Sequence, residues 1–194
     1  MLELAPLQLV DYLAIGHVAV DITPTGQQLG GTVSFASLTA RALGMRVGIV
    51  TSFGKDAPLE ALDGIQIVNV PSEYSTTFEN IKTESGRKQI LHHQAAQILL
   101  DHIPQIWRSA PIIHLAPIAR ELDASLPEKF SGSLLGITPQ GWMRTWGENG
   151  QVAACAWDAN ASEQALRYAG AVVMSVEDVN RDLAIDRGAI ETLR

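Results

Sequence analysis

The sequence predicts an α/β fold with a mostly parallel central sheet, and three observations carry that expectation. Short apolar runs recur along the chain: Tyr12-Leu13-Ala14-Ile15, Val47-Gly48-Ile49-Val50, Ile112-Ile113-His114-Leu115, Leu134-Leu135-Gly136-Ile137 and Ala171-Val172-Val173-Met174. Such runs suit strands covered on both faces, and the spacing leaves room for helices between them. Gly30-Gly31 stands directly before a run of small residues at helical spacing. From Ile65 to His93 the pattern changes to alternation of polar and apolar residues, the mark of strands with one wet face, so a small separate sheet is expected there.

In chain order, the first strand ends at Gly16, and His17 to Asp21 lead out of it. Gly30 and Gly31 remove Cβ atoms where a backbone must turn sharply or a ligand must come close. Thr32 reads as a helix N-cap, Val33, Ala36, Ala40 and Leu43 repeat at helical spacing, and Gly44 stops the helix. The free N–H groups of that helix point at whatever fills the glycine corner. Arg46 to Ser52 is the next buried strand. Ile65 to Val70 and Thr76 to Thr83 alternate, Glu84 to Arg87 turn, and Lys88 to His92 return. Ala95 to Trp107 has helical content broken at Pro104, and a helix is expected from near Glu121. Gln151 to Trp157 reads as an edge strand, Asn160 to Ala169 as a short helix, and Val176 to Arg194 as mainly helical with a break near Gly188.

The diglycine, the small-residue helix, Leu43-Gly44, the apolar strand and then Gly54-Lys55-Asp56 together resemble the N-terminal signature of the ribokinase-like, PfkB-type carbohydrate kinases. The resemblance implies that Gly30 and Gly31 lie against a sugar and that Asp21 binds its hydroxyls. A carboxylate suits that task because it accepts charge-assisted hydrogen bonds from two hydroxyls; by its letters alone, Asp21 ahead of Thr23-Pro24 equally suits a turn. Phe35 stands where the family has a substrate-contacting Asn, which favours an acceptor with an apolar or aromatic part, such as a nucleoside, over a simple pentose. Segments of about 18–31 and 65–93 correspond to the family's lid, a small sheet that closes over the acceptor, keeps water out and often mediates dimerisation. Thr138-Pro139-Gln140 with Arg144 is a divergent form of an Asp-Pro-Asn-x-Arg element.

Ser175-Val176-Glu177-Asp178 is similar to the family's Asn-x-x-Glu element, which assigns Ser175 to the nucleotide and Asp178 to a water-mediated Mg²⁺. The same letters also suit an N-cap serine followed by an acidic first turn. No stretch matches the Gly-Ala-Gly-Asp element that carries the family's anion hole and catalytic base, so the base is expected beyond Arg194. The whole 194-residue chain is thus read as one incomplete ribokinase-like domain, roughly the N-terminal two-thirds of a family member. The expected function is a sugar or nucleoside kinase using ATP and Mg²⁺, here without its catalytic C-terminal part and inactive alone. A non-catalytic sugar-binding or dimerising module of the same fold is the alternative.

Composition narrows the classes further. With 46% apolar and 18% charged residues the chain can build a core. A net charge of −7 without a Lys/Arg run removes the electrostatic footing for nucleic acid. The lone Cys155, in the apolar setting Val152-Ala153-Ala154-Cys155-Ala156, reads as an inert buried thiol in a reducing cytoplasm. No apolar run reaches membrane-spanning length and the N-terminus lacks a leader pattern, so neither membrane nor export is expected. His92-His93, with His102 and His114, lacks the spacing of a metal site.

Overall fold

The computed structural model describes residues 6–84 and 86–175. Its elements run β1 (Tyr12–Ile15), β2 (Ala19–Thr23), β3 (Gly26–Gly30), α1 (Thr32–Ala42), β4 (Val47–Phe53), β5 (Gln66–Pro71), β6 (Thr76–Thr83), β7 (Gly86–His93), β8 (Ile112–Leu115), β9 (Leu134–Ile137), β10 (Arg144–Trp146), β11 (Val152–Ala154), α2 (Ala159–Leu166) and β12 (Ala171–Val172). Six of these strands form a parallel sheet in the order β12-β9-β8-β1-β4-β5. This is the α/β architecture expected from the apolar runs.

Within those runs the strand period still sorts side chains to two faces. Leu13, Ile15, Ile113, Leu115, Leu135 and Ile137 point into one core, closed by Trp107, Phe130 and Trp142. Ala14, Ile49 and Ala116 point the other way and pack with Val18, Val33 and Leu62 beneath α1. That second layer covers β1 and β4. Beyond β8, on that face, Leu134 and Val173 are 58% and 65% exposed.

Trp107 is fully buried with its Nε1 donating to Gln8 O, and Trp142 stacks on Trp157 with ring centroids 5.2 Å apart.

A second sheet has the order β3-β2-β6-β7. It forms from the expected partners: β2 and β3 make an antiparallel hairpin, β6 lies parallel to β2, and β7 returns antiparallel to β6. One expected member is missing from it. Residues 66–71 pair parallel with β4 and form the edge of the central sheet. Alternation reports one dry face only, and an edge strand of the central sheet meets that condition as well as a strand of the small one.

Several helices differ from expectation. The helix expected around Ala95–Trp107 is replaced by 3₁₀ turns at Leu100–His102 and Gln105–Trp107. Arg108 donates to Leu100 O and Ile103 O there, so a side chain satisfies carbonyls that a helix would otherwise use. Near Glu121 no α-helix starts, and a 3₁₀ segment follows at Leu126–Phe130. Arg144–Trp146 and Val152–Ala154 form a hairpin. The expectations for Val176 to Arg194 lie outside the described residues. Among the described residues no helix is long and apolar enough to cross a membrane.

Candidate functional site

The diglycine corner joins the small sheet to α1. Gly31 is the N-cap of α1 with φ 88° and ψ 140°, a conformation that L side chains rarely adopt, and Ser34 N–H bonds to its carbonyl. A Cβ on Gly31 would lie 2.5 Å from His17 O and 3.1 Å from Ala19 N, so only glycine fits. The cap is therefore Gly31 and not Thr32. The buried face of α1 is Val33, Ser34, Ser37 and Ala40, while Leu43 is 73% exposed. Two serines on the core side shift this face from the one the apolar residues suggest. Ser34 is accommodated because its hydroxyl donates to Gly30 O at 2.7 Å.

Asp21 and Gly30 come together in the small sheet. A Cβ on Gly30 would sit 2.4 Å from Asp21 Oδ2, so the missing side chain makes room for the carboxylate. Asp21 is half-buried; Asn80 Nδ2 donates to its Oδ1 at 3.3 Å, and Gln89 Nε2 donates to Asn80 Oδ1 at 2.8 Å. Phe78, the register partner of Asp21, is buried with Ala19, Leu91, Ile118 and Ala119, and Trp146 and Val152 pack against this group. The Arg144 guanidinium lies over the Phe78 ring, 5.9 Å from its centroid. Carboxylate, carboxamide and guanidinium groups thus gather around one aromatic ring where the small sheet meets the body. A carboxylate in such an arrangement can accept hydrogen bonds from hydroxyls.

The other expected site residues are placed as follows. Phe35 is 56% exposed, on the side of α1 away from its buried residues. Ser175 lies three residues past the end of β12, the edge strand three places from β1 in the sheet order. Asp178 lies outside the described residues. Among the described residues no three His, Cys, Asp or Glu side chains are grouped to hold a metal ion. His92 and His93 face opposite ways: His92 bonds Glu79 at 2.8 Å, and His93 stacks on Tyr74 at 4.5 Å. Cys155 is half-buried and not fully enclosed, with Arg120 Nη2 3.3 Å from its sulfur. A separate open cleft of about 510 Å³ lies between β7 and the β10–β11 hairpin, lined by His92, Gln94, Trp146 and Asn149 among others. Neither Asp21 nor the diglycine lines it.

Two buried polar residues escaped the sequence reading. His17 is fully buried, and Glu121 is 1% exposed. The Glu121 carboxylate accepts hydrogen bonds from the N–H groups of His17, Ile118 and Ala119 at 2.7–3.0 Å. It pins the exit of β1 to the loop after β8. Nothing local marks either residue, because their partners come from distant parts of the chain.

Comparison with known proteins bears on the fold. No family model matches the chain. A cytidine kinase of Thermococcus kodakarensis is 26% identical over 149 residues, which are 66% of this chain and 51% of that protein. The chain therefore spans about half the length of the curated relative it matches. A pyrophosphate-dependent kinase in the ribokinase family, solved with a pyrophosphate analogue and myo-inositol, superposes with a TM-score of 0.74 at 18% identity, over 94% of this chain and 68% of that one. A nucleoside kinase of Methanocaldococcus jannaschii, an archaeal member of the same family, gives 0.63 at 14% identity, over 94% and 67%. With its six-stranded parallel sheet, its small second sheet and these neighbours, the chain has the ribokinase-like fold.

Proposed function

We propose that this chain is the acceptor-binding part of a ribokinase-type kinase, one that presents a hydroxyl of a small polyol or nucleoside for phosphoryl transfer. The observation that carries this reading is the Asp21 carboxylate held beside the side-chain-free Gly30 and next to Phe78. Acceptor hydroxyls donate to Asp21, Asn80 orients the carboxylate, and the exposed Phe35 ring supplies apolar surface. The small sheet serves as the lid, excluding water that would otherwise compete as the phosphoryl acceptor. ATP is the donor in this reading and supplies the phosphoryl group. Ser175 and Asp178 would be its contacts and those of Mg²⁺, and the base would lie beyond Arg194. Pairing of two copies through the small sheet belongs to the same proposal. A cytidine kinase, a nucleoside kinase and a myo-inositol complex among the similar proteins support a hydroxyl-rich acceptor.

Calorimetry with ribose, myo-inositol and cytidine tests the site. Asp21→Ala is expected to weaken binding by about 1.5–3 kcal/mol, the range for hydrogen bonds to a charged group. Unchanged affinity in Asp21→Ala for every ligand that binds would remove the assignment. Cytidine is expected to bind more tightly than ribose; the reverse order would remove only the role given to Phe35.

A further inference from the structure

Four stretches of chain pass between the central sheet and the small one: residues 16–18 into β2, Gly31 out of β3, residues 72–75 into β6 and residues 94–97 out of β7. The fully buried His17 lies at all four or directly beside them. It is itself on the first, and its carbonyl lies so close to Gly31 that a Cβ there would come within 2.5 Å. Its Nδ1 is 2.6 Å from Thr76 Oγ1 at the start of β6, and its Nε2 is 2.8 Å from Ala96 O after β7. Thr76 Oγ1 also accepts the Ala95 N–H at 3.0 Å.

One tautomer satisfies the whole set. A carbonyl oxygen only accepts, so Nε2 carries the proton and donates to Ala96, and Nδ1 accepts from the Thr76 hydroxyl. Nearby hydroxyls extend the seam: Val18 N–H donates to Thr51 Oγ1 at 2.7 Å, Ala96 N–H donates to Ser52 Oγ at 3.1 Å, and Ser52 in turn donates to Val70 O at 2.8 Å. Apolar layers tolerate sliding, whereas a buried set of directional hydrogen bonds is satisfied at one relative orientation.

We infer that His17 is a positioning residue that fixes the angle of the small sheet against the central sheet. It thereby sets where Asp21, on the small sheet, stands relative to the central sheet. Only this consequence for binding rests on the acceptor-site reading; the fixed angle does not.

Spin labels at Gln27→Cys, in the β2–β3 hairpin, and Leu43→Cys, just after α1, in a Cys155→Ser background, report that angle by pulsed electron resonance without any ligand. The parent should give one narrow distance distribution. Thr76→Val, which removes the hydroxyl and keeps the shape, and His17→Ala should give one about twice as wide, as expected when a hinge is released. His17→Gln and His17→Asn each retain one of the two ring hydrogen bonds and should fall between. An unchanged distribution in Thr76→Val and in the His17 variants that fold, judged by circular dichroism, overturns the inference. In calorimetry with cytidine, His17→Ala should lose affinity, and His17→Ala with Asp21→Ala should lose less than the two separate losses together. Broadened distances with strictly additive affinities would uphold the pivot and refute the link to Asp21.

Discussion

Glu121→Ala is expected to lower the unfolding free energy by about 3–5 kcal/mol, the range for removing one partner from a buried charged network. The carboxylate is 1% exposed and its partners are the backbone N–H groups of His17, Ile118 and Ala119. Without it those three donors are buried and unsatisfied, each at a cost of about 1–3 kcal/mol. The turn is also strained: Arg120, with φ 58°, is the only non-glycine with positive φ among the described residues, and it directly precedes Glu121. Bonds to the carboxylate hold that turn closed. Glu121→Gln keeps one accepting oxygen but sets an NH₂ against N–H donors, so a smaller loss of about 1–3 kcal/mol is expected. Urea titration of the three proteins measures both. A loss below about 1 kcal/mol in Glu121→Ala would mean that water replaces the carboxylate and that the loop does not depend on it.

The second large effect is a loss of stability in mild acid that traces to His114. Its Nδ1 is 2.7 Å from Tyr12 OH and its Nε2 is 2.8 Å from Thr138 Oγ1. Burial disfavours the charged ring and lowers its pKa from 6.5 to about 4. The same burial raises the Tyr12 hydroxyl to about 12. Between pH 4 and 6.5 the unfolded chain binds a proton at this position that the folded chain refuses. Stability is therefore fully present above about pH 6.5 and falls as the pH drops toward 4, by about 3 kcal/mol at most. In His114→Gln, which keeps a polar partner but does not titrate, that slope should flatten. Asp11, held at about 2 by the Arg46 guanidinium and N–H, titrates lower and leaves the window clear. An equal slope in wild type and His114→Gln would show that burial at this position does not govern the acid response.

The parts of the fold that were legible in the sequence were those where burial alone dictates composition. The strands of the central sheet are apolar because both faces can be covered, so Leu13, Ile113 and Leu135 marked them without knowledge of their partners. The alternation at Gln66–Pro71 revealed a strand but not its sheet, since half-burial looks the same at either location. The burial of Ser34 on α1 and the 3₁₀ turns near Leu100 depend on single side chains that satisfy particular carbonyls, Ser34 to Gly30 O and Arg108 to Leu100 O. No periodicity encodes such contacts. Asp21 was singled out by the family likeness, whereas His17 and Glu121 acquire meaning only when segments 59, 79 and 104 residues away are folded against them.

The parallel pairing of β2 with β6 has a consequence for the order of assembly. Ala19 meets Thr76 and Asp21 meets Phe78, so the strands of the small sheet close a loop that contains α1, β4 and β5. Closing so long a loop costs entropy before its contacts return any, and parallel partners cannot be joined by a tight turn. The β2–β3 and β6–β7 hairpins are local and form early, but they meet only after the intervening helix and strands have docked on β1. The sheet that carries Asp21 is therefore the late-folding unit of the chain. In a pulse-labelling hydrogen-exchange experiment, amides of β1 and β4 should gain protection before those that pair β2 with β6. Simultaneous protection of both sheets would instead mean that they condense in one step.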